Sequence, residues 1–201
     1  MPGSGTQDVS DLSVGELLDL LASEERVPAG GTGAALVVAV AAGLVAKAAR
    51  LSRSAWLEAG GAVAQADTLR ARALQLARSD AVAYEDALAT LANVEEIEPD
   101  RRDGAIQDAL IRSAEIPLLI SQTACDVCHL AADVAEAGNP EVGADAAVAA
   151  VLAGAAARAA GHLVEVNLAT VPEDERAARG EVFASKAASA ARRAVETAVA
   201  S

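Results

Sequence analysis

The sequence predicts an all-α protein: a single-domain, antiparallel, up-and-down helical bundle. Between residues 57 and 137, Gly, Pro and β-branched runs are sparse, and the good helix formers Ala, Leu, Arg and Glu dominate. The chain is 53% hydrophobic but has one Trp, one Tyr and one Phe, so its core must be built from small aliphatic side chains that suit close helix packing. At 201 residues it fits one domain that can bury most of its apolar surface.

The first predicted helix follows a flexible N-terminus, residues 1–11, and opens the helical domain, residues 12–201. Ser13 is a suitable N-cap, Glu16 completes a capping box, and the helix is expected to end near Ser23. The N-terminus is small, polar and acidic and lacks the basic and apolar regions of a secretory signal. We therefore expect a cytoplasmic protein.

The glycine segment Pro28–Gly33 interrupts helical periodicity and predicts a tight loop, with a long helix from near Gly33 to about Leu51. This helix is apolar almost all round through Val45, as expected for the central helix of a bundle or dimer. Its apolar run ends at Lys47, short of the ~20 residues of a bilayer span, which argues against a membrane partner.

The remaining helices are predicted over 56–91, 104–137 and 142–163, with a last one after Pro172. A charged loop over 93–103 is expected between the first two of these. Pro117 should kink its helix without ending it, and Gly138–Pro140 is a stop signal.

Charge and metal-binding patterns exclude several classes of function. The formal net charge of −13 argues against nucleic acid as a partner. The segment Cys125–His129 matches the pattern of covalent haem attachment, but Met1 is the only Met and no export signal is seen, so the alternative is two ordinary buried thiols on a helix. Two Cys and two His give little support for structural zinc, and no metal site is predicted.

Several polar positions are candidates for chemistry, each with a structural alternative. Backbone amides of Gly30–Gly33 could bind an anion at a helix N-terminus, or the segment could be a turn in which Thr32 caps its own helix. Glu115 lies in an apolar stretch but could be a solvated surface residue. Asp145 near a helix start could simply interact with the helix dipole. Asp80 and Tyr84 share a helix face and are interpreted as a hydrogen-bonded pair in the core.

Taken in order, these segments resemble the family of formiminotetrahydrofolate cyclodeaminases and methenyltetrahydrofolate cyclohydrolases. The resemblance covers about residues 12–194 and rests on the family's glycine loop, its Asp-x-x-Ala-Phe segment, its Val-Pro-Leu kink, its Gly-Asn-Pro turn, its Ser-Asp pair and its late Asn-Leu. These correspond here to Pro28–Thr32 with Ala34–Leu36, Asp80–Tyr84, Glu115–Leu118, Gly138–Pro140, Ala144–Asp145 and Val166–Leu168.

The resemblance implies a homodimeric helical bundle that binds a tetrahydrofolate derivative in a cleft lined by the glycine loop and the Asn-Pro turn. The implied reaction is loss of ammonia from 5-formimino-tetrahydrofolate with ring closure, or hydrolysis of 5,10-methenyl-tetrahydrofolate. Both reactions pass through a tetrahedral carbon between two nitrogens and need proton transfer. No metal or redox cofactor is implied.

The resemblance also implies roles for individual residues. Asp145 is the expected acid/base carboxylate, Thr32, Asn139 and Asn167 are expected to orient the substrate, and the Gly30–Gly31 amides to bind an anionic group. Gly33 and Glu115 complete the expected substrate-binding set.

Some positions depart from the family pattern. Where members carry a basic Lys-Lys-Tyr segment, this chain has Arg53–Trp56, and Ala29 and Ala144 replace a glycine and a serine. Because Arg is a poor proton donor, these changes keep open a member that binds another small ligand or performs related carbon–nitrogen chemistry. A non-catalytic helical dimer is the third hypothesis.

Overall fold

The computed structural model describes residues 9, 11–171 and 173–200, which form α-helices and two short 3-10 helices and contain no strand. The all-α prediction is therefore confirmed. The α-helices are α1 (Val14–Leu21), α2 (Gly30–Leu51), α3 (Ala59–Ala92), α4 (Pro99–Ala137), α5 (Gly143–Asn167) and α6 (Glu175–Ala200), and the 3-10 helices are Val94–Glu96 and Pro140–Val142.

The core lies where α4 packs on α5, α5 on α6 and α2 on α3. It consists mainly of Ala and Val, with Ile120 among the largest fully buried side chains. Small residues bring helix backbones together: a Cβ on Gly161 of α5 would lie 3.2 Å from the carbonyl oxygen of Gly180 of α6. The close packing expected from the composition is thus present.

Contacts run in opposite order along neighbouring helices. Thr32 and Arg50 of α2 bond to Asp80 and Asp67 of α3, respectively. The contacts between α4 and α5 also run in opposite order: Ser121 bonds to the Ala157 carbonyl, and Cys128, further along α4, bonds to the earlier Ala150 carbonyl.

The predicted starts of two helices were wrong. Helix α2 begins at Gly30, three residues before the predicted start at Gly33, so the glycines form its first turn. Helix α4 begins at Pro99, inside the predicted loop 93–103, because proline is well suited to the first position of a helix. Pro117 lies within α4 and does not end it.

The first helix has the predicted capping box: Glu16 N–H donates to Ser13 Oγ at 3.3 Å, and Ser13 N–H donates to Glu16 Oε2 at 2.8 Å. Residues 1–8 and 10 of the predicted flexible N-terminus lie outside the described residues. Val9, which is described, is buried against the core.

Helices α2 and α5 leave apolar side chains on the surface. By length and composition, two stretches of the described chain, Gly30–Leu51 and Pro140–Asn167, could cross a membrane. However, 56% and 50% of the most apolar parts of these stretches are buried within the bundle, and core helices of soluble proteins reach the same length and hydropathy.

Candidate functional site

A buried carboxylate lies at the start of α2. Asp80, in the middle of α3, is 6% exposed, and its Oδ2 accepts a 3.0 Å hydrogen bond from the hydroxyl of fully buried Thr32. Ala29, the N-cap residue of α2, gives no side-chain cap. Asp80 therefore takes the place of a local cap, and its carboxylate lies at the positive end of the α2 dipole.

Gly31 makes this contact possible. A Cβ at this position would lie 2.6 Å from Cγ of Asp80, whereas a Cβ on Gly30 or Gly33 would meet nothing within 4 Å. Of these three positions, only position 31 must be glycine, because α3 approaches α2 closely there. Open space remains beside the other two glycines.

Burial raises the pKa of Asp80, and its hydrogen bonds to the Thr32 hydroxyl and backbone N–H lower it by less. A carboxyl group whose pKa is shifted upward can hold a proton closer to neutral pH than an ordinary Asp. Such a group is suited to taking up and returning a proton.

A cavity of about 220 Å³ lies between α3 and α4, and its lining begins one helical turn beyond Asp80, at Ala83. Arg112 and Glu115 supply charge on the α4 side. The cavity is smaller than the roughly 300–1,000 Å³ of typical small-molecule sites. This cavity alone is therefore too small to enclose a ligand as large as a folate.

The structure places Glu115 and Asn167 at this same end of the bundle. Glu115 is exposed and pairs at 3.4 Å with Arg176, which also bonds to Asp174 at 3.0 Å. The side-chain amide of Asn167 donates a 2.9 Å hydrogen bond to the carbonyl of Ser113 and so ties the end of α5 to α4.

Asp145 and Asn139 lie at the other end of α2. Asp145, in the first turn of α5, forms a 2.7 Å ion pair with Lys47, and their side chains are 39% and 60% exposed. Asn139 N–H donates at 2.9 Å to Ser52 Oγ, and the Asn139 side chain accepts from Glu141 N–H. Gly138 is needed here because a Cβ would lie 2.7 Å from Ser52 Oγ.

The predicted site residues thus form two groups. Gly30, Gly31, Thr32, Gly33, Glu115 and Asn167 belong to the glycine end, and Asn139 and Asp145 to the opposite end. Thr32 and Lys47 are about 15 residues apart in α2, or about 22 Å at the usual helical rise. Within one chain, the Asp145 carboxylate and the glycine end do not meet.

Sequence reasoning did not identify Asp80 as a site residue. It was interpreted as the partner of Tyr84, but it bonds to Thr32, and Tyr84 is exposed. The sequence signal that could have identified Asp80 is a charged residue among the apolar residues of one face of α3. Its partner is 48 residues away, however, and no local spacing predicts such a pair.

The Cys125–His129 motif has ordinary partners. Cys128 donates to the Ala150 carbonyl at 3.3 Å, and His129 Nδ1 lies 2.9 Å from the Cys125 carbonyl oxygen. Both thiols are buried, and burial raises the pKa of Cys128 to about 12. Across the described chain, no three His, Cys, Asp or Glu side chains are grouped to hold a metal ion.

The fold and this site define an all-helical protein with a buried carboxylate at a glycine-rich helix start. Over residues 13–199 the sequence matches the family Formiminotransferase-cyclodeaminase, and the chain belongs to that family. The crystal structure of formiminotetrahydrofolate cyclodeaminase from Thermotoga maritima has a similar fold: the TM-score is 0.84 at 23% identity, over 94% of this chain and 96% of that one. Comparison with curated proteins gives no significant match.

Proposed function

We propose that the protein is a one-carbon tetrahydrofolate enzyme that releases ammonia from 5-formimino-tetrahydrofolate and closes the ring to 5,10-methenyl-tetrahydrofolate. Membership of the family and the likeness of the fold support the reaction class. The observation that carries the proposal is the buried Asp80 at the glycine-rich start of α2. The proposal includes an antiparallel bundle, a homodimer, a cytoplasmic location and no metal or redox cofactor.

Asp80 is proposed to move the proton that the reaction requires. N10 of the folate attacks the carbon of the protonated formimino group, and a new C–N bond forms. The Asp80 carboxylate takes the proton from N10 and returns it to the former imino nitrogen, now an amine. The bond between the carbon and this amine then breaks, and ammonia leaves with the bonding electron pair. One carboxyl group can serve both steps because burial raises its pKa, which makes the carboxylate a stronger base towards the N10 proton that it then returns.

The predicted roles of the other residues are kept as part of the proposal. Amides of Gly30 and Gly31 would bind an anionic group of the substrate, and Thr32 would hold Asp80 in place. Asn139, Asn167, Glu115 and Gly33 remain proposed substrate contacts. Asp145 remains the second candidate for acid/base catalysis.

The direct test follows the near-ultraviolet absorbance of 5,10-methenyl-tetrahydrofolate together with ammonia release from the formimino substrate. We expect turnover by the wild type, a loss of about 10²-fold or more in Asp80→Asn, and near-normal turnover in Asp67→Asn, a partly exposed carboxylate on the same helix. Binding without turnover of either folate would overturn the enzymatic proposal. Hydrolysis of the methenyl form without ammonia release would replace it with the cyclohydrolase reaction.

A further inference from the structure

The cavity between α3 and α4 continues the face of α3 that carries Asp80. Asp80, Ala83 and Ala87 are spaced three and four residues apart, so they lie on the same side of the helix. Ala83 and Ala87 both line the cavity. Measured along the axis of α3, this wall lies about 4.5 to 10 Å from Asp80. One small molecule is therefore long enough to occupy the cavity and reach the start of α2.

The walls of this cavity are apolar and made mainly of small side chains. Ala83 and Ala87 line it from α3, and Ala109 and Ile116 line it from α4. Because alanine has no side-chain atom beyond Cβ, three of these four positions leave space between the helices. Apolar walls with a few polar groups are typical of sites that bind small molecules. Walls of this kind suit the faces of a flat ring.

Two opposite charges line the cavity from opposite helices. Asp86 lies on α3, about 9 Å along the helix axis from Asp80, and Arg112 lies on α4. Within the part of the chain that the structure describes, no ion pair joins Asp86 to Arg112. Arg102 and Arg176, in contrast, each pair with a carboxylate. The cavity thus keeps an acceptor and a donor apart, and both can bond to a ligand between them.

The chemistry of these two side chains specifies the edge of the ligand. An ionised Asp only accepts hydrogen bonds, and Arg only donates them. A matching ring edge therefore carries N–H donors next to an acceptor. The pyrimidinone ring of a pterin has this edge, since its 2-amino group and N3–H are adjacent donors and its 4-oxo group is an acceptor. One carboxylate can accept both N–H groups, as it does from a guanidinium.

The size of the cavity also fits this part of a folate. A pterin has about twelve of the roughly thirty heavy atoms of tetrahydrofolate, so a cavity of about 220 Å³, below the range for whole ligands, suits it. N5 and the substituent that carries N10 belong to the second ring, on the far side from the 2-amino group. With the 2-amino edge at Asp86, the second ring extends back towards Asp80.

We propose that the cavity between α3 and α4 binds the pterin ring of the folate, with Asp86 accepting from the 2-amino group and N3–H and Arg112 donating to the 4-oxo group. This inference rests on the proposed function, since it assigns how that substrate is recognised. Glu115 lines the same cavity, but its Oε1 lies 3.4 Å from Arg176, so the pterin edge is assigned to Asp86. Proton transfer stays with Asp80.

Binding of two free heterocycles tests this assignment without any assay of turnover. Pterin and lumazine are both fluorescent and differ at the 2-position, where lumazine has an oxo group instead of the amino group. Fluorescence titrations are made below the pH at which either heterocycle ionises. The wild type should prefer pterin by about 10- to 100-fold, because the Asp86 carboxylate would face the 2-oxo oxygen of lumazine.

Asp86→Asn should reverse or abolish this preference. The Asn side chain offers one acceptor and one donor, so pterin should bind about 10-fold more weakly or worse, and lumazine should bind better. Arg112→Met should weaken both heterocycles alike, since both carry the 4-oxo group. Asp108→Asn, on α4 but outside this cavity, is the matched control and should change neither affinity. All three positions are exposed, so the variants should fold as the wild type does.

The outcomes separate this site from the proposed reaction. A wild type that binds neither heterocycle, or binds both equally, would overturn the pterin site. A change of preference in Glu115→Gln but not in Asp86→Asn would overturn the role of Asp86. If the expected pattern appears but the wild type releases no ammonia, the proposed function fails and the pterin site stands. Ammonia release without the pattern would have the opposite meaning.

Discussion

The hydroxyl of Thr32 donates a 3.0 Å hydrogen bond to Oδ2 of Asp80, and this bond joins the first turn of α2 to the middle of α3. It fixes a buried carboxylate where an ordinary helix would have a local cap. Burial raises the pKa of this carboxyl group by more than its hydrogen bonds to Thr32 lower it. The same contact thus positions α2 and provides a group for proton transfer.

Asp80→Asn should make the protein more stable at neutral pH. The pKa of Asp80 is raised above its ordinary value of 3.8 in the folded state, so the folded state retains this proton to higher pH than the unfolded chain. The free energy of unfolding therefore falls as pH rises from about 3.8 through the folded-state pKa, and Asn avoids this loss.

Urea unfolding at a series of pH values checks this expectation. The stability gain of Asp80→Asn over wild type should be smallest below pH 3.8 and should reach a plateau above the folded-state pKa. Thr32→Val removes a donor that lowers this pKa, so it should move the transition to higher pH. A gain that is the same at every pH would contradict the assignment.

Gly31→Ala should separate the two helices at the site. The new Cβ would lie 2.6 Å from the Asp80 carboxyl carbon, which must move, and we expect a cost of about 1–3 kcal/mol together with loss of turnover. Gly30→Ala is the matched control, since its Cβ would meet nothing and alanine favours a helix by up to about 1 kcal/mol. Thermal unfolding and the ammonia assay measure both effects. Equal behaviour of the two variants would refute the role given to Gly31.

Ser52→Ala should weaken the opposite end of the bundle. Ser52 Oγ accepts the Asn139 N–H at 2.9 Å and donates to the Ala48 carbonyl at 2.8 Å, and Ser52 is fully buried. Removing the hydroxyl leaves the Asn139 N–H without its partner, at a cost of about 1–3 kcal/mol. Exposed Ser54→Ala should change stability by less than about 0.5 kcal/mol. Chemical unfolding compares the two, and a Ser52→Ala variant as stable as Ser54→Ala would contradict this assignment.

The helices could be predicted from the sequence because their signals are local. Ser13 and Glu16 are three residues apart, and their capping box correctly marked the start of α1. The start of α2 was wrong because glycines without a side-chain cap are typical of a loop, whereas the capping carboxylate, Asp80, comes from another helix. The Lys47–Asp145 pair spans 98 residues and is equally absent from local patterns. Site geometry of this kind depends on tertiary packing.

Lys47→Ala and Asp145→Asn should reduce activity with little effect on stability. Both side chains are more than one third exposed, so their ion pair contributes only about 0–1 kcal/mol to folding. Asp145 is, however, the second proposed acid/base group, and Lys47 holds its carboxylate through the 2.7 Å ion pair. Arg50→Ala is the matched control, because Arg50 lies on the same helix and forms a comparably exposed pair with Asp67.

We expect all three variants to unfold within about 1 kcal/mol of wild type. Turnover should fall in Lys47→Ala and Asp145→Asn and persist in Arg50→Ala, as measured by kcat and KM for ammonia release. A fall confined to kcat would place the pair near the reacting atoms, whereas a rise confined to KM would place it on the substrate's binding surface. Retained activity in all three variants would remove Lys47 and Asp145 from the site and leave Asp80 as its sole acid/base candidate.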